Sequence, residues 1–200
     1  MRIVDKPIPF GQDRKQLTLD YIRRHHDPQA SSITIEPQMI VVHWTASCSL
    51  RSVLSAFEPT SVSILRWEIF KEGRLNVSSQ FVVDREGTVY RLMPENWFAR
   101  HTIGLNWAAI GIENVGAPWC PLTIHQLSTC AELIRELAAK YSSIRYLIGH
   151  HEYLKFRNTP LWKESNPDYV TKKRDPGDEF MSRLRKELAA SGRLLLSEYR

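Results

Sequence analysis

Apolar residues in this chain fall into short runs with two different periods, and their succession predicts strands alternating with helices. Met39-Ile-Val-Val42 is a continuous run rich in β-branched residues, the pattern of a buried strand. Just before it, Ile33 and Ile35 alternate with Thr34 and Glu36 as a shorter strand. Between Gln80 and Leu92, two β-rich runs flank Asp84-Arg-Glu-Gly87, with Gly87 available for positive φ; this predicts a hairpin, closed by Pro94. Ala108-Ala-Ile-Gly-Ile-Glu-Asn-Val-Gly116 predicts a further strand broken by the polar Glu113, and Tyr146-Leu-Ile-Gly149 another.

Helical spacing appears elsewhere. Thr123-Ile-His-Gln126 matches a capping box, and Leu127, Ala131, Ile134 and Ala138 share one face of a helix reaching about Tyr141. His125, in its first turn, is expected to be solvated. Asp178 is placed to cap a final helix with Phe180, Leu184 and Leu188 facing inward, ended by Gly192 before a tail containing Leu194 to Leu196. Near the start, Pro7 and Pro9 hold an extended arm. Thr18 is positioned to cap a helix to about His26, with Leu17 and Ile22 as a hydrophobic staple, and Asp27-Pro28 ends it. His25 and His26 are adjacent, so they do not share a helix face and are expected to be exposed. Ser52 to Phe57 reads as a short helix stopped near Pro59, whereas residues 60–76 show no clear period. The whole predicts a single α/β domain, a central mixed β-sheet flanked by helices. Residues 1–37 form an N-terminal arm and short helix, 38–191 the domain proper and 192–200 a C-terminal tail.

Composition narrows the function classes. Two hundred residues with 42% hydrophobic content suffice for one domain with a core. No apolar stretch is long enough for a transmembrane segment. Met1-Arg-Ile-Val-Asp-Lys-Pro7 lacks the apolar core of a secretory signal, which predicts a cytoplasmic chain, or a periplasmic or cell-envelope one if a leader precedes it. Cys48, Cys120 and Cys130 cannot all pair within one chain and lack CxxC spacing, so they read as free thiols, mostly buried. The formal net charge of +5 suits an anionic partner. The basic residues are dispersed and not interleaved with aromatics, which argues against nucleic acid. A monomer is expected.

The candidate chemistry sits at the ends of the predicted strands. His43 closes one strand and His150, followed by His151, closes another, while Asp175 lies in a long polar loop downstream. Two imidazoles and one carboxylate form a plausible ligand set for catalytic zinc, with a fourth position left for water. Taken alone, His43 reads first as a partly buried histidine bonded to a backbone carbonyl. Glu113 is costly to bury unless paired or functional. Lys172-Lys173-Arg174 reads first as a solvated face. Residues 95–107, with Trp97, Phe98, Arg100, His101, Asn106 and Trp107, suit either a cleft wall or a satellite core.

Val42-His-Trp-Thr-Ala46, Asp84-Arg-Glu-Gly-Thr-Val-Tyr90, Ile110-Gly-Ile-Glu113, Ile148-Gly-His150 and Lys173-Arg-Asp-Pro-Gly177 occur together and in this order. Over about residues 38–185 the chain resembles the zinc-dependent N-acetylmuramoyl-L-alanine amidases of the amidase-2 type, related to peptidoglycan recognition proteins. The resemblance implies Zn2+ held by His43, His150 and Asp175, with Glu113 as general base and Lys173 stabilising developing negative charge. It implies a peptidoglycan or muropeptide substrate, with Trp97, Arg100, His101 and Asn106 expected along the groove. His151 is the alternative ligand; the family pattern favours His150, which directly follows Gly149, and adjacent strand residues point to opposite faces. The chain departs from the family at Gln80, where an aromatic residue or histidine is usual, and in a longer loop between His150 and Asp175. Two other readings stand beside the enzyme: a module that holds muropeptide without cutting it, and a zinc hydrolase acting on another amide.

Overall fold

The computed structural model describes residues 1–190. The expected Gly192 stop and the Leu194 to Leu196 tail lie outside the described residues. Six strands among these form one mixed sheet: β1 (Ile3–Asp5), β2 (Met39–Trp44), β3 (Phe81–Val83), β4 (Val89–Arg91), β5 (Ala109–Asn114) and β6 (Tyr146–Gly149). Their spatial order is β1-β4-β3-β5-β2-β6. Only the β3–β4 hairpin is antiparallel, turning through Gly87 at φ 83°. The other neighbours, β2 included between β5 and β6, run parallel.

The apolar run of β2 is continuous because both of its faces are covered. On one face, Ile40, Val42, Ile110 and Ile112 pack against α4 (Ile124–Lys140) and α5 (Asp178–Ala190) through Leu127, Ala131, Ile134, Met181, Leu184 and Leu188. The capping box of α4 is formed, with Thr123 Oγ1 accepting from Gln126 N and Gln126 Oε1 accepting from Thr123 N. His125 is exposed. Phe180 of α5 lies partly buried against this cluster, and Met181 beside it is fully enclosed. On the opposite face, Met39, Val41, Ala109 and Ile148 pack against Tyr21 and Ile22 of α1 (Gln12–His25), Phe98 and Tyr153. A 3-10 helix, His150–Phe156, leaves the end of β6 and carries Tyr153 into that cluster.

The N-terminal prediction needs correction. Helix α1 begins at Gln12, after Gly11 in extended conformation, and not at Thr18. Thr18 is buried inside it and its hydroxyl donates back to Arg14 O, 2.7 Å away. Arg14 explains why the helix starts early. Its guanidinium is 1% exposed and donates to the carbonyls of Phe57, Glu58 and Pro59. Phe57 ends α2 (Leu50–Phe57), Glu58 is its C-cap and Pro59 follows, so the guanidinium sits at a helix C-terminus, where a cation is favoured.

His25 and His26 are not the exposed pair the adjacent positions suggested. His25 is 1% exposed, between Glu164 Oε1 at 2.7 Å and Glu72 O at 2.6 Å. His26 is the C-cap, with φ −123°, so the helical-face argument does not reach it; its Nδ1 meets Lys163 O. The segment 163–166 folds over this helix end. The expected strand at Ile33–Glu36 is reduced to a single bridge between Thr34 and Trp97. Cys130 is buried and Cys120 partly so, but Cys48 is exposed, contrary to the expectation of mostly buried thiols.

Candidate metal centre and catalytic cleft

Strand parity and register build the site. Along β2, Met39, Val41 and His43 face one way while Ile40 and Val42 face the helices α4 and α5. His43 pairs with Glu113 of β5, and Val42 with Gly149 of β6, so His150 comes one step beyond, beside His43. Three parallel strands thus deliver His43, Glu113 and His150 in a row at their carboxyl ends, the usual location of a site in such sheets. Gly111 keeps that face open: a Cβ there would stand 3.0 Å from the ring of His101, which lies over the sheet beside His43.

Asp175 arrives from the loop before α5. His43 Nδ1 and His150 Nδ1 are 2.9 Å apart. Both face Asp175 Oδ2, at 3.3 Å and 3.0 Å respectively. These atoms converge as metal ligands would. Tetrahedral ligands at about 2.0–2.1 Å from an ion sit about 3.3 Å from one another, close to these separations. Without an ion, a single proton at most fits between the two facing imidazole nitrogens; a cation satisfies all three atoms at once. His150 Nε2 and Glu113 Oε2 are buried without partners beside them. The donor set, two imidazole nitrogens and one carboxylate oxygen converging on one point, fits a divalent metal.

The electrostatics agree with that fit. Burial, then the neighbouring His43, hold His150 down at about 3, so its imidazole is neutral, as ligation needs. Burial works to raise Asp175, but hydrogen bonds from His150 and His43 outweigh it and hold the carboxyl well below its usual range. Burial pushes Glu113 well up, aided by the charge of Asp175 and opposed by Lys173. As a residue Glu113 is partly exposed, yet its Oε2 is enclosed.

The cleft above these groups is a cavity of about 480 Å³, whose lining includes His43, Glu113, His150, Lys173 and Asp175. His101, Arg100 and Asn106 also border it. His101 Nδ1 lies 3.1 Å from His43 Nε2, so it holds the outer nitrogen of that ring. Asn106 Oδ1 accepts from the backbone N–H of His101 and Thr102, fixing the loop that presents His101. Arg100 is 3% exposed and donates to the carbonyls of Ile69, Gly73 and Leu75 and to the Tyr169 hydroxyl, so it braces the cleft wall. Trp97, expected in the groove, lies outside it: its ring packs 4.9 Å from that of Phe10 on another surface. Loop residues carry no period from which that direction can be read. Gln80 is fully buried, accepting from Gly111 N and donating to Trp97 O, so it pins the 95–107 loop to the sheet and does not line the cleft.

His151 is not among the converging ligand atoms. Its Nδ1 meets Asp175 O and its Nε2 meets Asp178 Oδ1, so it fixes the backbone that carries Asp175. Tyr153 has a comparable role that no spacing in the sequence marked. Its hydroxyl donates to Thr171 O and accepts from Thr171 N, anchoring the segment that bears Lys173. Among the described residues no helix is long and apolar enough to cross a membrane.

No curated protein sequence matches the chain. Among solved structures it is similar to the N-acetylmuramoyl-L-alanine amidase LysC from Clostridium intestinale URNW, at 20% identity and TM-score 0.52 over 92% of this chain and 98% of that one. It is also similar to a selenomethionine derivative of AmpD, at 20% identity and TM-score 0.56 over 94% and 93%. A third likeness is to the N-acetylmuramyl-L-alanine amidase AmiD from E. coli, solved with anhydro-N-acetylmuramic acid-L-Ala-D-gamma-Glu-L-Lys, at 21% identity and TM-score 0.55 over 80% of this chain and 60% of that one. At such identities these likenesses establish the fold. A family model described as N-acetylmuramoyl-L-alanine amidase matches residues 33–178, a span that takes in all three converging side chains and Glu113. The chain therefore belongs to the N-acetylmuramoyl-L-alanine amidase family of the amidase-2 type.

Proposed function

We propose that this protein is a zinc-dependent hydrolase of the amide bond between N-acetylmuramic acid and the L-alanine of the stem peptide, in peptidoglycan or soluble muropeptides. The observation that carries the reading is the convergence of His43 Nδ1, His150 Nδ1 and Asp175 Oδ2 in the cavity that also presents Glu113 and Lys173. Two nitrogens, one carboxylate and an open side match the donor chemistry of catalytic zinc.

A zinc ion held there supplies Lewis-acid polarisation of the substrate carbonyl and makes water acidic near neutral pH. Glu113, next to His43 in register, takes the proton of the attacking water. It then returns that proton to the nitrogen of the departing L-alanine. Burial raises the Glu113 carboxyl, which favours its keeping the transferred proton until the amine departs. Lys173 sets its ammonium on the cavity wall, where the carbonyl oxygen gains negative charge. His101 keeps the His43 ring in one orientation by bonding its outer nitrogen, the support that ligating histidines commonly need. Soluble muropeptide and intact wall present the same amide to these groups.

Glu113→Gln tests the assignment. It preserves size and is not one of the three ligands, so zinc content and muropeptide binding should survive while turnover falls about 100-fold or more. Unchanged turnover would place the base elsewhere. Zinc-loaded wild type that binds muropeptide and releases neither product would favour a recognition module.

A further inference from the structure

Two of the three cysteines meet beside the cleft, on loops that leave neighbouring strands. Past the ends of β2 and β5 the two segments stay together. Thr45 N donates to Asn114 O at 3.0 Å, Ser47 N to Gly116 O at 3.2 Å, and Gly116 N to Thr45 Oγ1 at 3.3 Å. Cys48 directly follows Ser47. Beyond Gly116 the chain reverses at once: Cys120 N donates to Ala117 O at 2.8 Å, and Ala117 N to Cys120 O at 3.0 Å. The turn is close-packed, since a Cβ on Gly116 would stand 3.0 Å from Cys120 O. Arg85 secures it by donating to Cys120 O and Pro121 O, at 3.4 and 3.1 Å. The turn brings Cys120 back to Cys48, and the two thiols are in hydrogen-bond contact. Cys48 is exposed, Cys120 is partly so, and both are free. The pair also borders the functional wall. Thr45, Ala46 and Ser47 line the cleft, and the next residue after Cys48 is Ser49, whose Oγ caps α2 by accepting from Ser52 N. Ser52, Val53, Ala56 and Phe57 of α2 line the cleft in turn.

We propose that Cys48 and Cys120 are a redox site, a dithiol that a small-molecule disulfide oxidises to an internal disulfide, stapling the start of α2 to the loop after β5. The exposed Cys48, once its proton has gone to solvent, attacks one sulfur of the small disulfide and expels a first thiolate. Cys120 then loses its proton, attacks the Cys48 sulfur and expels a second. Two protein thiols lose two electrons, the oxidant gains them as two small thiols, and the protons shed by the cysteines end on the expelled thiolates. Contact with Cys120, then desolvation, push the Cys48 thiol up, while Arg85 and the Trp119 side chain oppose them. Exchange is therefore slow in neutral solution and quickens as pH rises. Cys130 does not compete: it is buried, its Sγ donates to Asn114 Oδ1, and burial pushes it up to about 12. The staple closes a long loop that holds α2, α3 (Trp67–Phe70), β3, β4 and β5. Closing such a loop restricts mainly the unfolded chain, so the effect falls on stability and leaves the converging ligands in place.

The test incubates the zinc-loaded full chain with oxidised glutathione at about pH 8.5, or with dithiothreitol, and then removes the small molecules. Thiols titrated in denaturant should fall from three to one on oxidation. Non-reducing peptide mass spectrometry should find Cys48 joined to Cys120. The urea midpoint should rise by about 1 M or more over the reduced protein, and dithiothreitol should reverse all three changes. Cys130→Ser should keep the link and the rise. Cys48→Ser should show neither, and Cys120→Ser should stop at a glutathione adduct on Cys48. In the wild type, an unchanged thiol count, a lasting glutathione adduct, a link to Cys130 or a bond between two chains overturns the proposal. So does an internal Cys48–Cys120 bond that leaves the urea midpoint unchanged or lower. Turnover is not among these readouts, so the staple stands or falls separately from the hydrolytic reading.

Discussion

The two nitrogens of His43 have different neighbours, and this decides what its replacement removes. Nδ1 points to His150 and Asp175, while Nε2 meets His101. Replacing His43 and Asp175 together by alanine leaves one ligand of three. Zinc bound per chain should fall from about one to near zero by elemental analysis, with the fold retained by circular dichroism; full zinc in the double variant would reject the ligand assignment. At the cavity wall, Lys173→Met keeps the aliphatic stem and removes the charge. It should lower kcat more than it raises KM, because an ammonium facing a developing oxyanion acts mainly in the transition state. A purely raised KM would make Lys173 a binding residue. His43 and His150 were legible from the sequence because each closes a strand, where parity and backbone fix the direction of a side chain; Glu113 stood out as a carboxylate inside an apolar strand, and its role came from the family resemblance. Trp97 was not: it lies in a loop with no period and turns out to Phe10. Arg100, from the same loop, borders the cavity as expected, but its guanidinium is spent on backbone carbonyls.

At the level of elements, the pattern was most readable where one residue type does one job. The β2 run, the Gly87 hairpin and the Thr123 capping box form as their residues dictate. Helix α1 resisted because its start depends on Arg14 reaching carbonyls more than 40 positions away along the chain, which no local window contains. The docking of its far end has a measurable signature. Burial, the largest influence, holds His26 down at about 3, against an unfolded value of about 6.5. Above about pH 6.5 both states are neutral there and the stabilisation is fully present. As pH falls toward 3 the unfolded chain takes up a proton that the folded chain refuses, so stability is lost. Between pH 6.5 and 5 this residue should cost about 1.5 kcal/mol. Urea unfolding of wild type and His26→Asn across that range reads the effect. Wild type should lose that much more than the variant, and parallel losses would show that His26 titrates normally in the fold.

For the molecule as a whole, the first residues are a layer of the fold. β1 extends the sheet beside β4, Lys6 and Ile8 continue that pairing, and α1 seals the face that carries the site. Both faces of the sheet serve the same end: α4 and α5 stabilise one, which frees the other to present His43, Glu113 and His150 under loops from several parts of the chain. The α/β class and mixed sheet follow from the strand and helix periods. Strand order does not, because β2, central and early in sequence, takes neighbours that come much later. The account's central claim is that this assembly cuts one bond. Zinc-loaded protein incubated with a defined N-acetylmuramoyl peptide, followed by mass spectrometry of the products, addresses it directly. The prediction is an intact N-acetylmuramic acid with a free lactyl carboxylate and a peptide with a free L-alanine amino terminus, with both products lost on chelation. Cleavage at another bond, or an unaltered substrate in the presence of bound zinc, would contradict it.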